Sequence, residues 1–523
     1  MGEGGREGEG EHLSWRLALL LLFLAVVVPA GALAAVGRFD GLYGQDPYAY
    51  YDYAVGPLRA GLLRLRPPPD FYWPPGYPLL VALVSFAVGA RPLAGQLVSL
   101  VAGGLAAVGT ALLAREVWPA LDGRGGARAR FYGPLLAGLV VALCGQLWQS
   151  SIVVMADTTG LAAATLGAWA LARYGRRGAS GGVGWLALAA AGLSWAVLTR
   201  WAYALVAIPC TVYALVALRR RGRPVALAHG AAATAVVAVL LGPLLVPVAI
   251  GLLEPGRTAP FAADLDVYRW DPLNAARRAF HTADGLLAYR WPNGLYYALA
   301  PALPFFFTPL LAWLIAPGLW TTLRRRATAG LVLVVGWAGV TYAFHAGAPW
   351  QNIRFVLAYL PPLAVLLALG AVVACRAVGR HGRALVGVGL AAGLAWMTVG
   401  GVGLTRGFIA RKDADLALAR AVRLPADARL LTFGPTLTFQ HYTAIETDDL
   451  SGLTPPDLAR LAAGDHPVYL LLDTANVETQ WRGLPPDENY RWLRDGPGLA
   501  PLGRYGGHYT LFRVGRAAGG HAP

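Results

Sequence analysis

The sequence predicts an α-helical polytopic membrane protein that ends in a small C-terminal α/β domain. Of its 523 residues, 56% are hydrophobic and only 14% are charged, which is too apolar for an ordinary soluble enzyme. Long apolar runs recur as far as about residue 405, and short arginine clusters separate several of them. Beyond that point, short strand-like segments alternate with helix-like ones, as expected for a small α/β domain.

Apolar runs long enough to cross a bilayer define the expected helices, because a transmembrane helix needs about 20 apolar residues. We expect eleven spans, at residues 17–36, 93–114, 131–154, 158–172, 183–199, 201–218, 225–250, 296–322, 329–345, 355–374 and 384–405. A cleaved signal peptide is the alternative for the first run, but the acidic segment before it favours a retained span. Residues 78–90 are too short to span and are expected to form an interfacial or re-entrant helix.

Arginine placement predicts how the spans are oriented. Five short loops of one parity are rich in arginine, and their only acidic residues are Glu116 and Asp122. The positive-inside rule makes that side cytoplasmic. The N-terminus is therefore expected on the cytoplasmic side of the plasma or inner membrane, and the C-terminal domain on the opposite side. The outer side then carries loops 37–77 and 251–295. Much of the net charge of +15 lies in these short basic loops, which does not indicate a nucleic-acid partner.

The expected domains are residues 1–405, which contain the spans, and residues 406–523, the extracytoplasmic α/β domain. In the latter, "ARLLTFG", "HPVYLLLDT" and "HYTLFRV" are expected strands, and "PPDLARLAA" is an expected helix. We expect this domain to act as a cap or an acceptor-docking module. Cys144, Cys210 and Cys375 all lie in apolar runs, so neither a disulfide framework nor a cysteine-based metal site is expected.

The segment "DPYAYYDYA" follows the first apolar run closely and combines acids with tyrosines. Asp46, its first residue, is placed to act as a general base that accepts a proton from an attacking hydroxyl or amine. The tyrosines that follow could line a sugar pocket. A solvated acid in a loop turn is the alternative for Asp46, and Asp40 and Asp52 are reserve candidates for the base.

The order of motifs around this segment resembles that of the GT-C glycosyltransferases. These membrane enzymes use polyprenyl-phosphate sugars and include protein mannosyltransferases and aminoarabinose transferases. Their acid in the first outer loop, followed by Tyr and Ala, corresponds to Asp46, Tyr50 and Ala54. Their Pro-Pro-x-Tyr-Pro-like element, which enters a juxtamembrane helix, corresponds to "PPGYP", where the tyrosine is Tyr77.

Three further motifs extend the resemblance over roughly residues 15–375. A second outer acid in a small-Asp-(Ala/Thr) context corresponds to Asp157 in "MADTTG". A short "LTR" element corresponds to Arg200. An Arg-aromatic pair that opens a late span before a proline-rich stretch corresponds to Arg354 and Phe355.

Two positions depart from the family pattern. Pro47 stands where the family often has a second acid, which bears on any metal or second-base role. Trp73 replaces an arginine that is common before the Pro-Pro element, and this leaves the pocket wall undefined. These residues do not identify which sugar the donor would carry.

The resemblance implies an integral-membrane glycosyltransferase of the cell envelope. It would move a sugar from a polyprenyl-phosphate donor to a lipid, glycan or protein acceptor at the outer face, with inversion. Asp46 would be the base, and Asp157 would assist it or orient the acceptor. Arg354 and Arg200 would hold the leaving phosphate, because arginine binds phosphate bidentately and stays charged when partly buried.

Tyr50, Tyr77 and His345 are the remaining candidates for substrate binding. The two tyrosines belong to the family motifs, and His345 lies in an outer turn where it could touch phosphate or substrate. The leaving group is a stable phosphate anion that arginine can neutralise, so no cofactor is predicted, although the residues do not exclude a divalent metal.

Each assignment has an alternative. Asp157 could serve as a helix N-cap, both arginines could extend to lipid headgroups, and a lone histidine such as His345 is more often structural. For the whole chain, the alternatives are a secondary transporter and a non-catalytic scaffold. A transporter would need ionisable residues and broken helices near the middle of the membrane. Here the acids cluster on the outer side and no internal repeat is visible, which counts against it.

Overall fold

Contacts between residues divide the chain into two compact units. The computed structural model describes residues 3–66, 71–123, 126–177, 182–253 and 269–515. The first unit comprises Met1–Ala276 and Pro292–Arg406, and the second comprises Arg277–Trp291 and Gly407–Pro523. The second unit therefore includes part of the expected outer loop 251–295; residues 254–268 of that loop lie outside the described part of the chain.

The first unit is helical. Its helices are α1 (Glu3–Val36), α2 (Asp46–Tyr53), α3 (Arg59–Arg64), α4 (Gly76–Val88), α5 (Leu93–Asp122), α6 (Ala127–Ala142), α7 (Gly145–Ile152), α8 (Asp157–Arg176), α9 (Val183–Thr199), α10 (Ala204–Arg219), α11 (Arg223–Leu253), α12 (Asn293–Leu299), α13 (Thr308–Ala312), α14 (Ile315–Arg325), α15 (Trp337–Gly347) and α16 (Leu360–Ala377). A long helix, α17 (Arg380–Ala421), begins in this unit and continues into the second. A 3-10 segment, Ile353–Tyr359, leads into α16, and a π-helical segment, Gly330–Gly336, leads into α15.

Seven helical segments among the described residues are long and apolar enough to cross a membrane, and the bent pair α6–α7 makes an eighth. Eleven spans were expected, and three of the expected segments account for the difference. Helix α8 has the length but not the apolarity, and α9 has the apolarity but is short. The third, residues 296–322, is divided into several short helices. Helix α4, expected to be too short to span, is a 13-residue helix.

The expectation of one continuous span at residues 296–322 is wrong. The segment is divided among α12, a 3-10 turn at Ala300–Ala302, α13 and α14. Pro301, Pro304 and Pro309 explain the breaks, because proline lacks the N–H that continues a helix and its ring clashes with the preceding turn. The expected span 131–154 is also interrupted, by a 55° bend between α6 and α7.

Helix α5 occupies the centre of the first unit, where it contacts α1, α4, α6, α7, α8 and α16. Small residues make these close contacts possible. A Cβ added at Gly103 would overlap Ser151, and one added at Gly104 would overlap Phe23. Because lipid tails are as apolar as leucine, close van der Waals packing of this kind holds membrane helices together.

Two buried acids near the end of α5 hold the arginine-rich ends of other helices. Glu116 accepts hydrogen bonds from Arg173 and Arg176, both in the last turn of α8, at 3.0 and 2.9 Å. Asp122 pairs with Arg376 in the last turn of α16, where Nη2 lies 2.8 Å from Oδ2. Leaving a buried carboxylate without a partner would cost about 3–5 kcal/mol. The two acids that interrupt the basic loops in the sequence are therefore ion-paired supports between helices.

The second unit contains a β-hairpin and a five-stranded sheet. The hairpin is formed by β1 (Ala279–Thr282) and β2 (Gly285–Ala288). The sheet strands are β3 (Arg429–Thr432), β4 (Glu446–Asp449), β5 (Val468–Leu472), β6 (Leu499–Tyr505) and β7 (Tyr509–Val514), in the order β4-β3-β5-β7-β6. The helices are α18 (Thr436–Tyr442), α19 (Pro455–Ala463), α20 (Thr474–Thr479) and α21 (Pro485–Asp495).

The sheet is mixed, with β3, β4 and β5 parallel and β7 antiparallel to both of its neighbours. Buried leucines of β3 and β5 pack against the helices on the two faces, as expected for strands covered on both sides. The hairpin joins this unit at Gln480, whose carbonyl oxygen accepts from the Leu286 N–H at 2.7 Å. The predicted class, a helical polytopic protein with a small C-terminal α/β region, is confirmed.

Candidate active site

Asp46 opens helix α2, and its carboxylate is paired with an arginine from the other end of the first unit's sequence. Arg354 Nη2 donates to Asp46 Oδ2 at 2.7 Å. The two side chains retain 29% and 24% of their exposure, so solvent or a ligand can reach both. An acid in the first turn of a helix is favoured by the helix dipole, and Pro47 suits the start of α2 because its missing N–H needs no partner there.

Asp157 opens helix α8 and forms a second pair of the same kind. Its Oδ1 accepts from Arg200 Nη1, and the residue is only 4% exposed. Arg200 follows α9 in an extended backbone conformation, which ends that helix. Asp157 Oδ2 is buried and has no hydrogen-bond partner among the described residues. Tyr203 Oη donates to the Asp157 carbonyl oxygen at 3.2 Å and so supports the start of α8.

The ring of Phe355 brings the two ion pairs together. The guanidinium carbons of Arg200 and Arg354 lie 5.4 and 5.7 Å from its centroid, within the range of cation–π attraction. Arg354 Nη1 also contacts Met155 Sδ, two residues before Asp157. Two acids and two arginines predicted from separate motifs are therefore close together around one aromatic ring.

Tyr50 forms the wall beside these charges. Its ring stacks on Trp73 with centroids 4.7 Å apart and meets the edge of Tyr77 at 5.3 Å. Burial raises the pKa of the Tyr50 phenol well above its usual value; Arg200 opposes this rise and Asp46 adds to it. The phenol therefore stays protonated and can act as a neutral hydrogen-bond donor beside the charged cluster.

Tyr77 and His345 are more deeply buried than the sequence suggested. Tyr77 Oη donates to the Gly95 carbonyl oxygen at 3.1 Å and lies 2.9 Å from Ser99 Oγ, so its hydroxyl is used in packing against α5. The His345 ring stacks on Phe355 with centroids 5.1 Å apart, and neither ring nitrogen has a partner among the described residues. In this conformation, both side chains lie behind the charged cluster rather than at its surface.

The two reserve acids lie apart from the ion pairs described above. Asp40 Oδ1 accepts from the Leu42 N–H at 3.1 Å, within its own turn. Asp52 is exposed near the end of α2. Sequence context alone does not separate them from Asp46, which is the acid that the structure pairs with Arg354.

Sequence reasoning missed Met155 and Tyr203, which contact the cluster through long-range packing. Met155 is the first residue of the "MADTTG" segment but carries no expected role there, and Tyr203 belongs to no motif. Trp73, noted only as a departure from the family pattern, stacks on Tyr50 and so forms the wall that the sequence left undefined.

Within the described residues, no group of three or more His, Cys, Asp or Glu side chains is close enough to hold a metal ion. Asp46 and Asp157 each face an arginine. Among the described residues, guanidinium groups therefore supply the positive charge next to these two acids.

Comparison with known proteins reveals similarity at the level of fold. The sequence matches no protein-family model and no curated protein. The structure is similar to that of ArnT, an aminoarabinose transferase, from Cupriavidus metallidurans bound to undecaprenyl phosphate, with a TM-score of 0.58 at 15% identity. That match covers 96% of this chain and 99% of ArnT. ArnT in the apo state matches with a TM-score of 0.56 at 16% identity, over 93% of this chain and 97% of ArnT.

An oligosaccharyltransferase of Archaeoglobus fulgidus, in complex with zinc and sulfate, is also similar. Its TM-score is 0.53 at 13% identity, and the match covers 91% of this chain and 69% of that protein. The chain thus has the fold shared by these GT-C glycosyltransferases and, with its apolar helices, is an integral membrane protein.

Proposed function

We propose that this chain, which has the GT-C fold, is a membrane glycosyltransferase that moves a sugar from a polyprenyl-phosphate donor to an acceptor, with inversion. One observation carries the proposal: Asp46 and Asp157 are each paired with an arginine, and both arginines contact the same ring. Such a cluster offers carboxylates for proton transfer and guanidinium groups for a phosphate anion. The undecaprenyl phosphate bound to the similar ArnT structure supports the donor class.

Exchange of ion-pair partners links donor binding to catalysis. Arg354 is partly exposed, so the anionic phosphate of the donor can draw its guanidinium away from Asp46. Arginine forms bidentate hydrogen bonds with phosphate, which offset the loss of its carboxylate partner. Arg200, held over Phe355, supplies a second positive charge to the leaving group.

Asp46 acts as the base after this exchange, when its carboxylate oxygen no longer accepts the hydrogen bond from Arg354 and is available to the acceptor. The acceptor oxygen or nitrogen then attacks the anomeric carbon, and its proton passes to Asp46. The bond from that carbon to the phosphate oxygen breaks, and polyprenyl phosphate leaves with the electron pair. Attack from the face opposite the phosphate inverts the anomeric configuration.

Asp157, Tyr50 and His345 have supporting roles in this proposal. Asp157 Oδ2 is buried without a partner among the described residues, so it can accept a hydrogen bond from the acceptor once the donor displaces the arginines and opens the cluster. The neutral phenol of Tyr50 can donate to a sugar or phosphate oxygen. His345 contributes through its stacking on Phe355, or directly once the cluster opens around the donor.

The positions of the charges along the helices support an outer-face site. Asp157 begins α8 and Arg176 is in its last turn; Arg354 precedes α16 and Arg376 is in its last turn. The candidate site and the arginine-rich loops therefore lie at opposite ends of the same helices. If the arginine-rich ends are cytoplasmic, as the positive-inside rule predicts, the site faces outward. Charges at helix ends also argue against a transporter, whose ionisable residues lie near the middle of the membrane.

Purified protein in detergent, offered a panel of radiolabelled polyprenyl-phosphate sugars and acceptors, tests the proposal. We expect the wild type to transfer one sugar and the Asp46→Asn variant to lose about 100-fold or more in kcat, the usual contribution of a general base. Asp52→Asn, an exposed acid of the same helix, is the matched control and should keep full activity. Equal activity of wild type and Asp46→Asn would exclude Asp46 as the base, and no transfer from any donor would exclude the proposed activity.

A further inference from the structure

The linker between α15 and the 3-10 segment Ile353–Tyr359 determines where Arg354 stands. Residues 348–352 form this linker, "APWQN", and belong to neither helix. The Ala348 N–H and the Asn352 carbonyl oxygen bond to the adjacent helical segments. The other peptide groups of the linker need further partners to hold the backbone, because buried peptide groups must be paired. Helix α12 supplies partners for three of these groups.

The hydroxyl group of Tyr297, in α12, forms two hydrogen bonds with the linker backbone. The residue is fully buried, and its Oη donates to the Trp350 carbonyl oxygen at 3.0 Å. The same oxygen accepts from the Asn352 N–H at 3.1 Å. One phenol thus fixes the backbone on both sides of residue 351.

Asn352 connects Tyr297 to Arg354 through hydrogen bonds. Its side-chain oxygen accepts from the Arg354 N–H at 3.2 Å, so it caps the 3-10 segment that carries the arginine. At the other end of the linker, Asn293, the first residue of α12, donates through Nδ2 to the Ala348 carbonyl oxygen. Helix α12 therefore holds both ends of the linker that precedes the phosphate-binding arginine.

We infer that Tyr297 is a positioning residue for donor binding: its hydroxyl sets the place of Arg354 without contacting the substrate. The inference rests on the proposed function, in which Arg354 binds the donor phosphate. Removing the hydroxyl takes a hydrogen-bond partner from two linker peptide groups, and the backbone before Arg354 relaxes. A displacement of about 1 Å in a substrate-binding group is enough to cost up to about 100-fold in catalytic efficiency.

Tyr297→Phe tests the inference because it removes only the hydroxyl. Tyr342→Phe is the matched control: Tyr342 Oη also donates to α12, to the Gly294 carbonyl oxygen at 3.0 Å, but it does not touch the linker. Kinetic constants for the donor and binding of polyprenyl phosphate without acceptor are measured for both variants. We expect Tyr297→Phe to raise the donor KM and weaken lipid-phosphate binding by about tenfold, with kcat changed less than about threefold. Tyr342→Phe should change neither.

A double-mutant cycle with Arg354→Lys separates positioning from general destabilisation. If Tyr297 acts through Arg354, the effect of Tyr297→Phe on lipid-phosphate binding becomes small once Arg354 is replaced. Unchanged binding and KM in Tyr297→Phe, or equal losses in both tyrosine variants, would overturn the inference. Failure of the wild type to transfer any sugar would instead reject the proposed function, while the lipid-phosphate binding comparison would still decide the role of Tyr297.

Discussion

At the scale of single residues, each candidate acid of the site is held by an arginine that also has a candidate role. Asp46 and Arg354 are partners in the structure, and in the proposed mechanism they separate when the donor phosphate binds. In that mechanism proton transfer to Asp46 follows donor binding, which would limit unproductive attack by water.

Arg354→Lys should weaken donor binding more than its retained charge would suggest. Lysine is a point charge that cannot form the bidentate contact with phosphate, and it cannot pack flat beside Phe355 as a guanidinium does. We expect the donor KM to rise by about tenfold or more, since hydrogen bonds to charged groups are worth about 1.5–3 kcal/mol. Steady-state kinetics over a donor titration measures this, with the exposed Arg326, distant in sequence at the end of α14, changed to lysine as control. A donor KM equal to that of wild type would exclude direct phosphate binding by Arg354.

At the scale of elements, two helices cross so closely that only glycine fits at the contact. A Cβ added at Gly370 in α16 would overlap the Leu314 carbonyl oxygen, and one added at Gly318 in α14 would overlap that of Leu366. Because α16 follows directly from the segment that carries Arg354, this crossing fixes the helix next to the arginine that we propose binds phosphate.

Gly370→Ala should therefore destabilise the protein by about 1–3 kcal/mol, the usual cost of overpacking, or more because the overlap involves backbone. The control is Gly387→Ala in α17, where an added Cβ meets nothing within 4 Å. Thermal unfolding of the detergent-purified proteins measures the difference. A melting temperature of Gly370→Ala equal to that of Gly387→Ala would show that α14 and α16 can separate without cost.

The elements also show where sequence reasoning succeeds and where it stops. Long apolar runs predict the spanning helices, because hydropathy and length are local properties. The break at residues 296–322 also has a local cause, the three prolines in the sequence. The expectation of one span gave more weight to the length of the apolar run than to these prolines. The hydrogen bonds between Tyr297 and residues 348–352 are not predictable from the sequence, because they join two segments that no motif connects. Motif order pointed to Asp46 and Arg354 as candidates, but only the fold pairs them.

At the scale of the whole molecule, orientation across the membrane is the property that most directly tests the sequence interpretation. Cysteines are introduced into a cysteine-free background at two exposed turns, as Gly222→Cys between α10 and α11 and His508→Cys between β6 and β7. A membrane-impermeant maleimide should label His508→Cys in intact cells but Gly222→Cys only after permeabilisation, because the arginine-rich turn stays cytoplasmic. Labelling in the opposite pattern would invert the proposed topology and place the site on the inner face.

The pairing of Asp122 with Arg376 has a consequence for biosynthesis. The two residues are 254 positions apart, so the ribosome must translate most of the chain before the carboxylate at the end of α5 meets its guanidinium. Until then, the nascent protein carries an acid without its native partner at the end of α5. The native helix arrangement around α5 can therefore be completed only late in synthesis, after α16 has been inserted.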